Sequence, residues 1–285
     1  MSAPVLSVVI LNYKNPRLTQ RCVEQALDAT RAAGVPSEII VVDNSGPETG
    51  ETLRAVLRDP AVRLILNERN VGFAAGNNQG IQVARGEYLL LLNNDAFLEV
   101  QALIAGLDYL IHHDDTAIWA PALVGEDGSL QTSAAPLPSL GQLVGEYWWL
   151  GKWKKLLPAS WQMPLQSNVP RTVPSVIGAF FLMPKKVIEQ VGLLDEDYFF
   201  TVEDVDYCRR VGEQKLRIVL DQRHTIVHIG SASQGGRAWF QDPYMHQHRL
   251  LYFRKHHPRW QQAVAYCVIQ SGLGLRRAWH RLRTT

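Results

Sequence analysis

Three short runs of almost continuous apolar residues, each ending at an Asn or Asp, constrain the fold of this chain more than any other feature. They occupy positions 5–11, 38–43 and 88–92 and are rich in Val, Ile and Leu. Such runs predict strands that are buried on both faces of a sheet. After the first run, Asn15-Pro16 predicts a helix start, and apolar residues then recur at helical spacing. Strands that alternate with helices predict an α/β fold with a mostly parallel central sheet and helices on both faces.

The rest of the chain continues this alternation with less regular signals. The first helix is predicted to end at Gly34, and between 130 and 174 prolines are frequent and the pattern loosens. Further strands are predicted at 62–66, 175–183, 216–220 and 225–229. Further helices are predicted at 49–57, 77–84 and 98–111, and another ends at Gly192. The acidic stretch 195–206 opens a further helix, and the chain is predicted to be helical from 244 onward.

Composition and motifs exclude several classes of protein. The chain has 285 residues, of which 46% are hydrophobic and 20% are charged, so a disordered or low-complexity protein is excluded. It has no apolar run of the roughly 18 residues that a membrane-spanning helix needs. The turn after the first strand runs from Asn12 to Pro16 and lacks the Gly-x-Gly-x-x-Gly pattern. This excludes a dinucleotide oxidoreductase of the Rossmann type.

The cysteines indicate a reducing compartment. Cys22, Cys208 and Cys267 are widely spaced and form no Cys-x-x-Cys pair, so we expect neither a disulfide framework nor a structural zinc site. Each lies among apolar residues in a predicted helix, and we interpret all three as small core residues. The first residues carry no positive charge, so we expect no secretory signal and a cytoplasmic protein.

Charge is distributed unevenly along the chain. Residues 245–285 contain eight Lys/Arg and no Asp or Glu, whereas the other 244 residues contain 21 basic and 27 acidic side chains. The apolar stretch 263–275 lies between these cationic residues; it is too short to span a membrane but suits an anionic headgroup layer. A partner subunit or a nucleic acid could also bind a basic helix. We expect no nucleic acid, because the rest of the chain is acidic and has no base-reading module.

Polar residues follow each predicted parallel strand, at the edge of the sheet where ligands bind in such folds. Seven motifs occupy these ends and the segments after them. These motifs resemble those of the family 2 glycosyltransferases, which have the GT-A fold, and they follow one another in the order seen in that family. The likeness is closest to the rhamnosyltransferase-like members that act in bacterial cell-surface polysaccharide assembly. The motifs lie at 8–13, 41–45, 70–78, 90–95, 178–183, 195–200 and 203–210.

The resemblance implies a nucleotide-sugar site at the strand ends. Asp43 would accept a hydrogen bond from a pyrimidine N–H or a ribose hydroxyl, although an Asp before Asn-Ser-Gly could equally be a turn residue. Asn12 and Tyr13 would flank the base, partly through their backbone groups. Glycines in the third motif permit close approach of the backbone to an anion. The remaining nucleotide-sugar contacts implied by the resemblance are Asn70, Gly72, Asn77, which is Arg in many relatives, Asn94 and Asp95.

The resemblance also implies a divalent cation, Mg²⁺ or Mn²⁺. Asp95 matches the Asp-x-Asp motif of the family, in which Asn93 replaces the first Asp. A carboxylate near a diphosphate is repelled by about 4 kcal/mol per unit charge pair at about 4 Å and an effective dielectric constant of 20. A cation that bridges Asp95 to the phosphates reverses that sign. His228 matches a further metal ligand of some relatives, but it could instead be a satisfied core residue.

The catalytic base implied by the resemblance is Asp204, with Glu203 as a neighbouring support and Asp206 as the fallback. A placed carboxylate can take the proton of an acceptor hydroxyl as its oxygen attacks the anomeric carbon, with inversion. Another interpretation of this stretch is structural. The sequence from Thr201 to Asp204 fits a capping box, and acidic residues are favoured in a first helical turn.

Two further segments are candidates for the acceptor site. Asp195 and Asp197 lie in an acidic stretch that could form a wall of that site or a plain surface turn. Trp148 and Trp149 begin a Trp- and Lys-rich segment that could contact the acceptor at a membrane interface or form a small satellite core.

These observations predict a GT-A glycosyltransferase domain at 1–243 and a basic helical extension at 244–285. The domain would comprise a nucleotide-binding half at 1–97 and an acceptor-binding half at 98–243, which includes a Trp-rich loop at 131–174.

The predicted activity is inverting transfer of a sugar, rhamnose from dTDP-rhamnose, to a hydroxyl of a lipid-linked or oligosaccharide acceptor in cell-surface polysaccharide synthesis. The protein would bind the cytoplasmic face of the inner membrane through its basic tail, and the sequence leaves a homodimer open. One alternative is the same chemistry with a UDP-hexose donor. The other is a non-catalytic nucleotide-sugar- or carbohydrate-binding partner in an assembly complex.

Overall fold

The computed structural model describes residues 4–148, 167–230 and 242–284. For residues 243 and 277–284 it describes the backbone alone. Its strands are β1 (Leu6–Asn12), β2 (Ser37–Asp43), β3 (Val62–Leu66), β4 (Tyr88–Asn93), β5 (Ala96–Phe97), β6 (Thr116–Val124), β7 (Ala134–Ala135), β8 (Arg171–Thr172), β9 (Ser175–Val176), β10 (Phe180–Pro184) and β11 (Arg217–His228). Its helices are α1 (Pro16–Ala32), α2 (Pro47–Val56), α3 (Phe73–Val83), α4 (Val100–His112), α5 (Leu140–Tyr147), α6 (Lys186–Val191), α7 (Glu203–Glu213), α8 (Pro243–His256) and α9 (Arg259–Thr284).

The first half of the central sheet is parallel, as the buried apolar runs predict. β1 pairs in parallel with both β2 and β4, and β2 pairs with β3. The register places Asn12 opposite Asp43 and Leu11 opposite Asn93. The polar residues that end these strands therefore lie side by side at one edge of the sheet.

The second half of the sheet is mixed. The strand order is β3-β2-β1-β4-β10-β6-β11-β5, with β8 paired to β11, and a separate pair joins β7 to β9. β10 is antiparallel to both β4 and β6, whereas β11 is parallel to β6. The prediction of a mostly parallel central sheet is confirmed.

Several predicted elements differ from the observed ones. β6 was not predicted, because its mixture of Ala, Pro121 and Trp119 gives a weak strand signal, although the strand is buried along most of its length. The strand predicted at 175–183 is wrong as one unit, since β9 and β10 are separated by residues 177–179. The strands predicted at 216–220 and 225–229 are one long strand, β11, whose register shifts between Asp221 and Thr225.

The observed helix boundaries show which of the predicted helix starts are correct. α1 begins at Pro16 behind Asn15, whose Oδ1 accepts a hydrogen bond from the Leu18 N–H at 3.3 Å, as predicted. α3 begins at Phe73, earlier than predicted, because Gly72 adopts a φ of +97° directly before it. The basic tail forms two helices, α8 and α9, rather than one.

The capping-box interpretation of 201–204 is wrong. The N-cap of α7 is Val202, which makes no side-chain capping bond. Both Thr201 and Val202 have positive φ, +70° and +73°. β-branched residues in the left-handed region store strain of about 1–3 kcal/mol each, which is typical of functional sites.

The cysteines divide into two kinds. Cys22 and Cys208 are buried, as predicted, and burial raises the pKa of both thiols. Cys267 is exposed, so its prediction as a core residue is wrong. It lies on α9, where neighbouring apolar residues in the sequence do not share one buried face.

The chain divides into two compact units. The first comprises 1–135 and 165–236, and the second comprises 136–164 and 237–285. In the second unit, α5 and α8 both pack against α9. Among the helices that the structure describes, none combines the length and the apolar character needed to cross a membrane. The domain boundaries predicted from the sequence stay predictions.

Gly106 allows α4 to approach the central sheet closely. A Cβ at this position would lie 2.6 Å from both Leu182 Cδ2 and Trp119 Cε3. We expect Gly106→Ala to lower the free energy of unfolding by about 1–3 kcal/mol through overpacking. The measurement is the denaturant midpoint in urea.

Gly212, in α7, is the matched control for this variant, since a Cβ there would meet no atom within 4 Å. Gly212→Ala should raise stability by up to about 1 kcal/mol, because Ala has the higher helix propensity. Equal midpoints for the two variants would contradict close packing at Gly106.

Candidate functional site

Asp43 presents an unused acceptor at the end of β2. The residue is fully buried, and its Oδ1 accepts hydrogen bonds from Asn12 Nδ2 at 2.8 Å and from the Ser45 N–H at 3.0 Å. Its Oδ2 is buried and has no hydrogen-bond partner within the described ranges. Leaving a buried acceptor unsatisfied is costly. Asp43 therefore keeps an acceptor that nothing in the described ranges uses, and its contact with a nucleotide stays a prediction.

Asn12 braces this carboxylate. Its side chain is fully buried; Nδ2 reaches Asp43 while Oδ1 accepts from Thr19 Oγ1 at 2.7 Å. A ligand contact by Asn12 would thus run through its backbone. Tyr13, the next residue, is 40% exposed, and Lys14 Nζ lies 5.2 Å from the centre of its ring.

The Asn70–Gly72 turn lies against two neighbouring segments. Asn70 Oδ1 accepts from the Gly72 N–H at 2.9 Å, and Asn44 Nδ2 donates to the Gly72 oxygen at 2.9 Å. A Cβ at Gly72 would lie 2.8 Å from the backbone oxygen of Phe199. Only glycine fits there with a φ of +97°. Asn44, which joins this turn to the end of β2, was not among the predicted site residues.

The two adjacent asparagines of α3 are both buried and both engaged. Asn77 Nδ2 donates to the Phe73 oxygen of its own helix at 3.0 Å, so the predicted nucleotide contact at Asn77 stays a prediction. Asn78 Nδ2 donates to the Leu194 oxygen at 2.9 Å and to Glu196 Oε1 at 2.8 Å, and its Oδ1 accepts from the Leu194 N–H. Asn78 was missed by the sequence analysis. It anchors the start of the acidic stretch 195–200 to α3.

Asp95 and His228 meet where β5 pairs with the end of β11. The antiparallel register sets His228 opposite Ala96, and His228 Nε2 lies 3.4 Å from Asp95 Oδ1. Both side chains are largely buried. Asn94, next to Asp95, donates to Thr19 Oγ1 at 2.9 Å.

Gln131 fixes the orientation and tautomer of the His228 ring. Gln131 Nε2 donates to the backbone oxygen of His228 at 2.7 Å, and since a carbonyl oxygen only accepts, this sets the amide orientation. Gln131 Oε1 then faces His228 Nδ1 at 2.8 Å and accepts its hydrogen. In the neutral ring, this arrangement leaves Nε2 as an acceptor that faces the Asp95 carboxylate. Gln131 was not predicted as a site residue.

This pair of acceptors fits a divalent cation. Two ligand atoms about 2.1 Å from one ion stand about 3 Å apart at a right angle, close to the spacing of Nε2 and Oδ1. A His whose other nitrogen is held by a hydrogen bond is the usual arrangement at a metal. Across the described part of the chain, no cluster of three or more His, Cys, Asp or Glu could hold a metal. Any cation here would need ligands from a substrate.

Asp204 lies at the start of α7 and is half-buried. Its Oδ2 accepts from the Gly178 N–H at 3.0 Å, and its Oδ1 accepts from the Val205 N–H at 2.8 Å. Burial raises the pKa of Asp204, although both N–H bonds oppose that effect. A raised pKa makes the carboxylate a better proton acceptor.

Glu203 and Asp206 have different environments from Asp204. Glu203 is 5% exposed, and its pKa is well above the usual range because of burial, with a further rise from the charges of Asp204 and Asp206. Asp206 is 1% exposed; it pairs with Arg210 Nε at 2.8 Å and accepts from the Tyr198 hydroxyl at 3.2 Å. Arg210 also donates to the Val191 and Leu193 oxygens at 2.9 Å, so it links Asp206 to the segment before 195–200.

Asp204 lies at the same edge of the sheet as the Asp95 turn. The Asn93 N–H donates to the Ala179 oxygen at 3.1 Å, just before β10 begins. Gly178, the preceding residue, donates to Asp204. The break between β9 and β10 thus brings α7 next to the carboxyl end of β4.

The predicted acceptor residues are less organised. Asp195 Oδ1 accepts from the Asp197 N–H at 3.1 Å, and Asp197 is exposed. Trp148 belongs to the second unit, where its Nε1 donates to Ser271 Oγ at 3.0 Å and its surface is 44% exposed. Trp149 lies outside the described residues. All four stay predictions as acceptor contacts.

Comparisons with known proteins identify the family of the chain. The family model described as "Glycosyl transferase family 2" matches residues 7–192. The chain is 25% identical over 289 residues to the N-acetylglucosaminyl-diphospho-decaprenol L-rhamnosyltransferase of Mycobacterium tuberculosis, covering 95% of this chain and 91% of that protein. It is 27% identical over 219 residues to the low-salt glycan biosynthesis hexosyltransferase Agl10 of Haloferax volcanii, covering 75% of this chain but 63% of that protein.

A solved structure shares the fold. The crystal structure of GalNAc-T7 with UDP, GalNAc and Mn²⁺ superposes with a TM-score of 0.64 at 17% sequence identity. The superposition covers 87% of this chain and 48% of that chain. At this identity the likeness concerns the fold alone.

The Asp206–Arg210 pair gives a testable prediction for the site scaffold. We expect Asp206→Asn to lower the free energy of unfolding by about 3–5 kcal/mol, because it leaves a largely buried guanidinium without its charge partner. The measurement is the denaturant midpoint. The control is Glu213→Gln, which removes the exposed 2.9 Å pair with Arg209 on the same helix and should cost under about 1 kcal/mol. Similar losses in both variants would rule out a structural role specific to Asp206.

Proposed function

Because the chain belongs to glycosyl transferase family 2, we propose that it transfers rhamnose from dTDP-rhamnose to a hydroxyl of a lipid-linked or oligosaccharide acceptor in cell-surface polysaccharide synthesis. The family match spans residues 7–192, well over half of the chain. It confirms the resemblance to the family and the assignment as a glycosyltransferase, and the shared structure confirms the GT-A fold. The observation that carries the proposal is the placement of Asp204, through Gly178, beside the turn that holds Asp95.

The choice of donor rests on the relatives and on Asp43. The mycobacterial relative that aligns with 95% of this chain is a rhamnosyltransferase. In the proposal, the free Oδ2 of Asp43 accepts from the N–H of the pyrimidine ring, which uracil and thymine share. A second donor class, a UDP-hexose, is favoured by the Haloferax relative, which is a hexosyltransferase.

The proposed cation site consists of Asp95 and His228. These residues would hold Mg²⁺ or Mn²⁺, and Gln131 would orient the imidazole. When bound, the cation neutralises negative charge on the diphosphate leaving group. Since the chain offers two ligands here, we expect cation binding to be strong only together with the donor.

Asp204 is the proposed base. Its carboxylate would take the proton of the acceptor hydroxyl while the hydroxyl oxygen bonds to the anomeric carbon and the nucleoside diphosphate leaves, so the configuration inverts. Glu203 is the weaker candidate, because it is 5% exposed and so less accessible to an acceptor hydroxyl than the half-buried Asp204. Asp206 is also a weaker candidate, because it is 1% exposed and pairs with Arg210.

A panel of nucleotide sugars tests the proposed donor. With Mn²⁺ present, we expect dTDP-rhamnose to raise the melting temperature of the protein and to be hydrolysed slowly without acceptor. Asp43→Asn should weaken this stabilisation, since the amide Nδ2 puts a donor in the place of one carboxylate acceptor. Stabilisation by UDP-hexoses in preference to dTDP-rhamnose would move the assignment to the second donor class. Donor binding with no hydrolysis and no transfer would favour the non-catalytic alternative.

The base assignment has its own test. Asp204→Asn should bind dTDP-rhamnose as well as the unaltered protein does, while turnover falls by about 10²–10⁴-fold. Glu213→Gln, an exposed acid on the same helix, is the control and should keep full turnover. Turnover retained in Asp204→Asn would refute Asp204 as the base.

The cation site predicts donor-dependent metal affinity. Mn²⁺ binding, followed by electron paramagnetic resonance in the presence of dTDP, should be lost in Asp95→Asn and weakened about 10–100-fold in Gln131→Met. Gln101→Met, at an exposed position of α4, is the matched control. Equal Mn²⁺ affinity in Gln131→Met and the control would remove Gln131 from the site.

A further inference from the structure

The second unit carries the excess positive charge of the protein. It contains twelve Lys/Arg and two Asp/Glu, a formal charge of +10, whereas the first unit contains 17 Lys/Arg and 25 Asp/Glu, a formal charge of −8. This contrast is hidden in the overall net charge of +2. A small unit with such an excess attracts an anionic partner.

α9 uses one face to hold this unit together. Its Ala265, Val268 and Ile269 are buried. On the same face, Gly272 lies so close to α5 that a Cβ would meet Tyr147 Cβ at 2.5 Å. This face is therefore committed to packing within the unit.

An adjacent side of α9 carries exposed apolar residues. Trp260, Val264, Cys267 and Leu275 recur at spacings of four, three and eight residues, which places them on one side of the helix. Trp260 is 62% exposed, Val264 is 40% exposed and Leu275 is 56% exposed. We call these four residues the α9 stripe.

Basic residues flank the α9 stripe. Arg254, near the end of α8, and Arg259, at the start of α9, are both exposed. Beyond Leu275 the sequence continues with four more arginines and no acid before its last residue. An apolar stripe bordered by cationic residues is the pattern of a helix that lies in the interface of an anionic bilayer.

We propose that the second unit binds the surface of an anionic membrane, with the α9 stripe inserted among the acyl chains and the flanking arginines at the headgroups. The positive charge of the unit is complementary to the negative charge of the lipid surface. A second copy of the chain fits less well, because two units of +10 would repel. A nucleic acid fits less well too, because phosphate contacts use basic groups and leave an apolar stripe without a partner.

Cys267 allows a direct test on the full chain. It is the exposed cysteine, whereas Cys22 and Cys208 are buried, so an environment-sensitive maleimide should label Cys267 selectively in the folded protein. We expect the emission of the probe to shift to the blue with vesicles of phosphatidylcholine and phosphatidylglycerol. Pure phosphatidylcholine vesicles should give a much smaller shift, and added salt should reduce the response.

Variants separate the apolar and electrostatic contributions. In co-sedimentation with the mixed vesicles, the double variant Trp260→Ser/Leu275→Ser should have a vesicle affinity at least about tenfold lower than that of the unaltered protein. Arg254→Gln and Arg259→Gln should each weaken binding about fivefold. Ile111→Ser, which alters a 58% exposed residue of the first unit, is the matched control and should bind normally. Melting temperatures establish that each variant is folded.

Three outcomes would overturn the proposal. One is the absence of pelleting by the full chain with anionic vesicles. Another is equal pelleting of the stripe variant and the Ile111→Ser control. The third is a dimer in sedimentation velocity that the stripe variant dissociates without any vesicle binding, which would assign the α9 stripe to a second copy. None of these readouts depends on the donor or on turnover, so they are independent of the proposed enzymatic function.

Discussion

The parallel pairing of β1 with β2 and β4 is the constraint on which the rest of the site depends. Its register sets Asn12 beside Asp43, and Leu11 beside Asn93, so the polar ends of three buried strands share one edge. A slip of one residue would turn every apolar side chain of a strand to the other face, which fixes this alignment strongly. β10 then enters antiparallel, so that its beginning, not its end, lies at the same edge. For this reason the Gly178 N–H can reach Asp204.

The sequence predicts those parts of the fold and site whose signals are local. Asn15-Pro16 marks the start of α1, and apolar runs mark β2 and β4, because a cap or a buried strand depends on neighbouring residues. Gln131 and Asn78 were missed because their partners lie 97 and 116 residues away. The break after β9 was missed for a similar reason, since Gly178, which lies in the break, donates to Asp204 on a later helix. For residues whose neighbours in the fold cannot be predicted from a local pattern, the predicted roles came from the family motifs.

Three carboxyl groups within four residues illustrate how environment divides roles. Asp206 is paired with the guanidinium of Arg210, which also donates to two backbone oxygens. Glu203 is buried beside the carboxylates of Asp204 and Asp206. Asp204 is half-buried and held by two N–H groups, which leaves it ordered and chemically available. The strained backbone at Thr201 and Val202 makes α7 begin at Glu203. The start of the helix sets the direction of each of the three carboxyl groups. Backbone strain of this kind clusters at functional sites.

The charge of the first unit bears on how an anionic donor could bind it. This unit has a formal charge of −8, and the segments 70–78 and 93–95 contain no Lys or Arg. The side chains of these two motifs therefore bring no positive charge to a diphosphate. In the proposed function, backbone N–H groups at the start of α3 would provide a part of it, since a helix N-terminus carries about half a unit of positive charge. A cation held by Asp95 and His228 would supply the larger part, in the place of a fixed basic side chain.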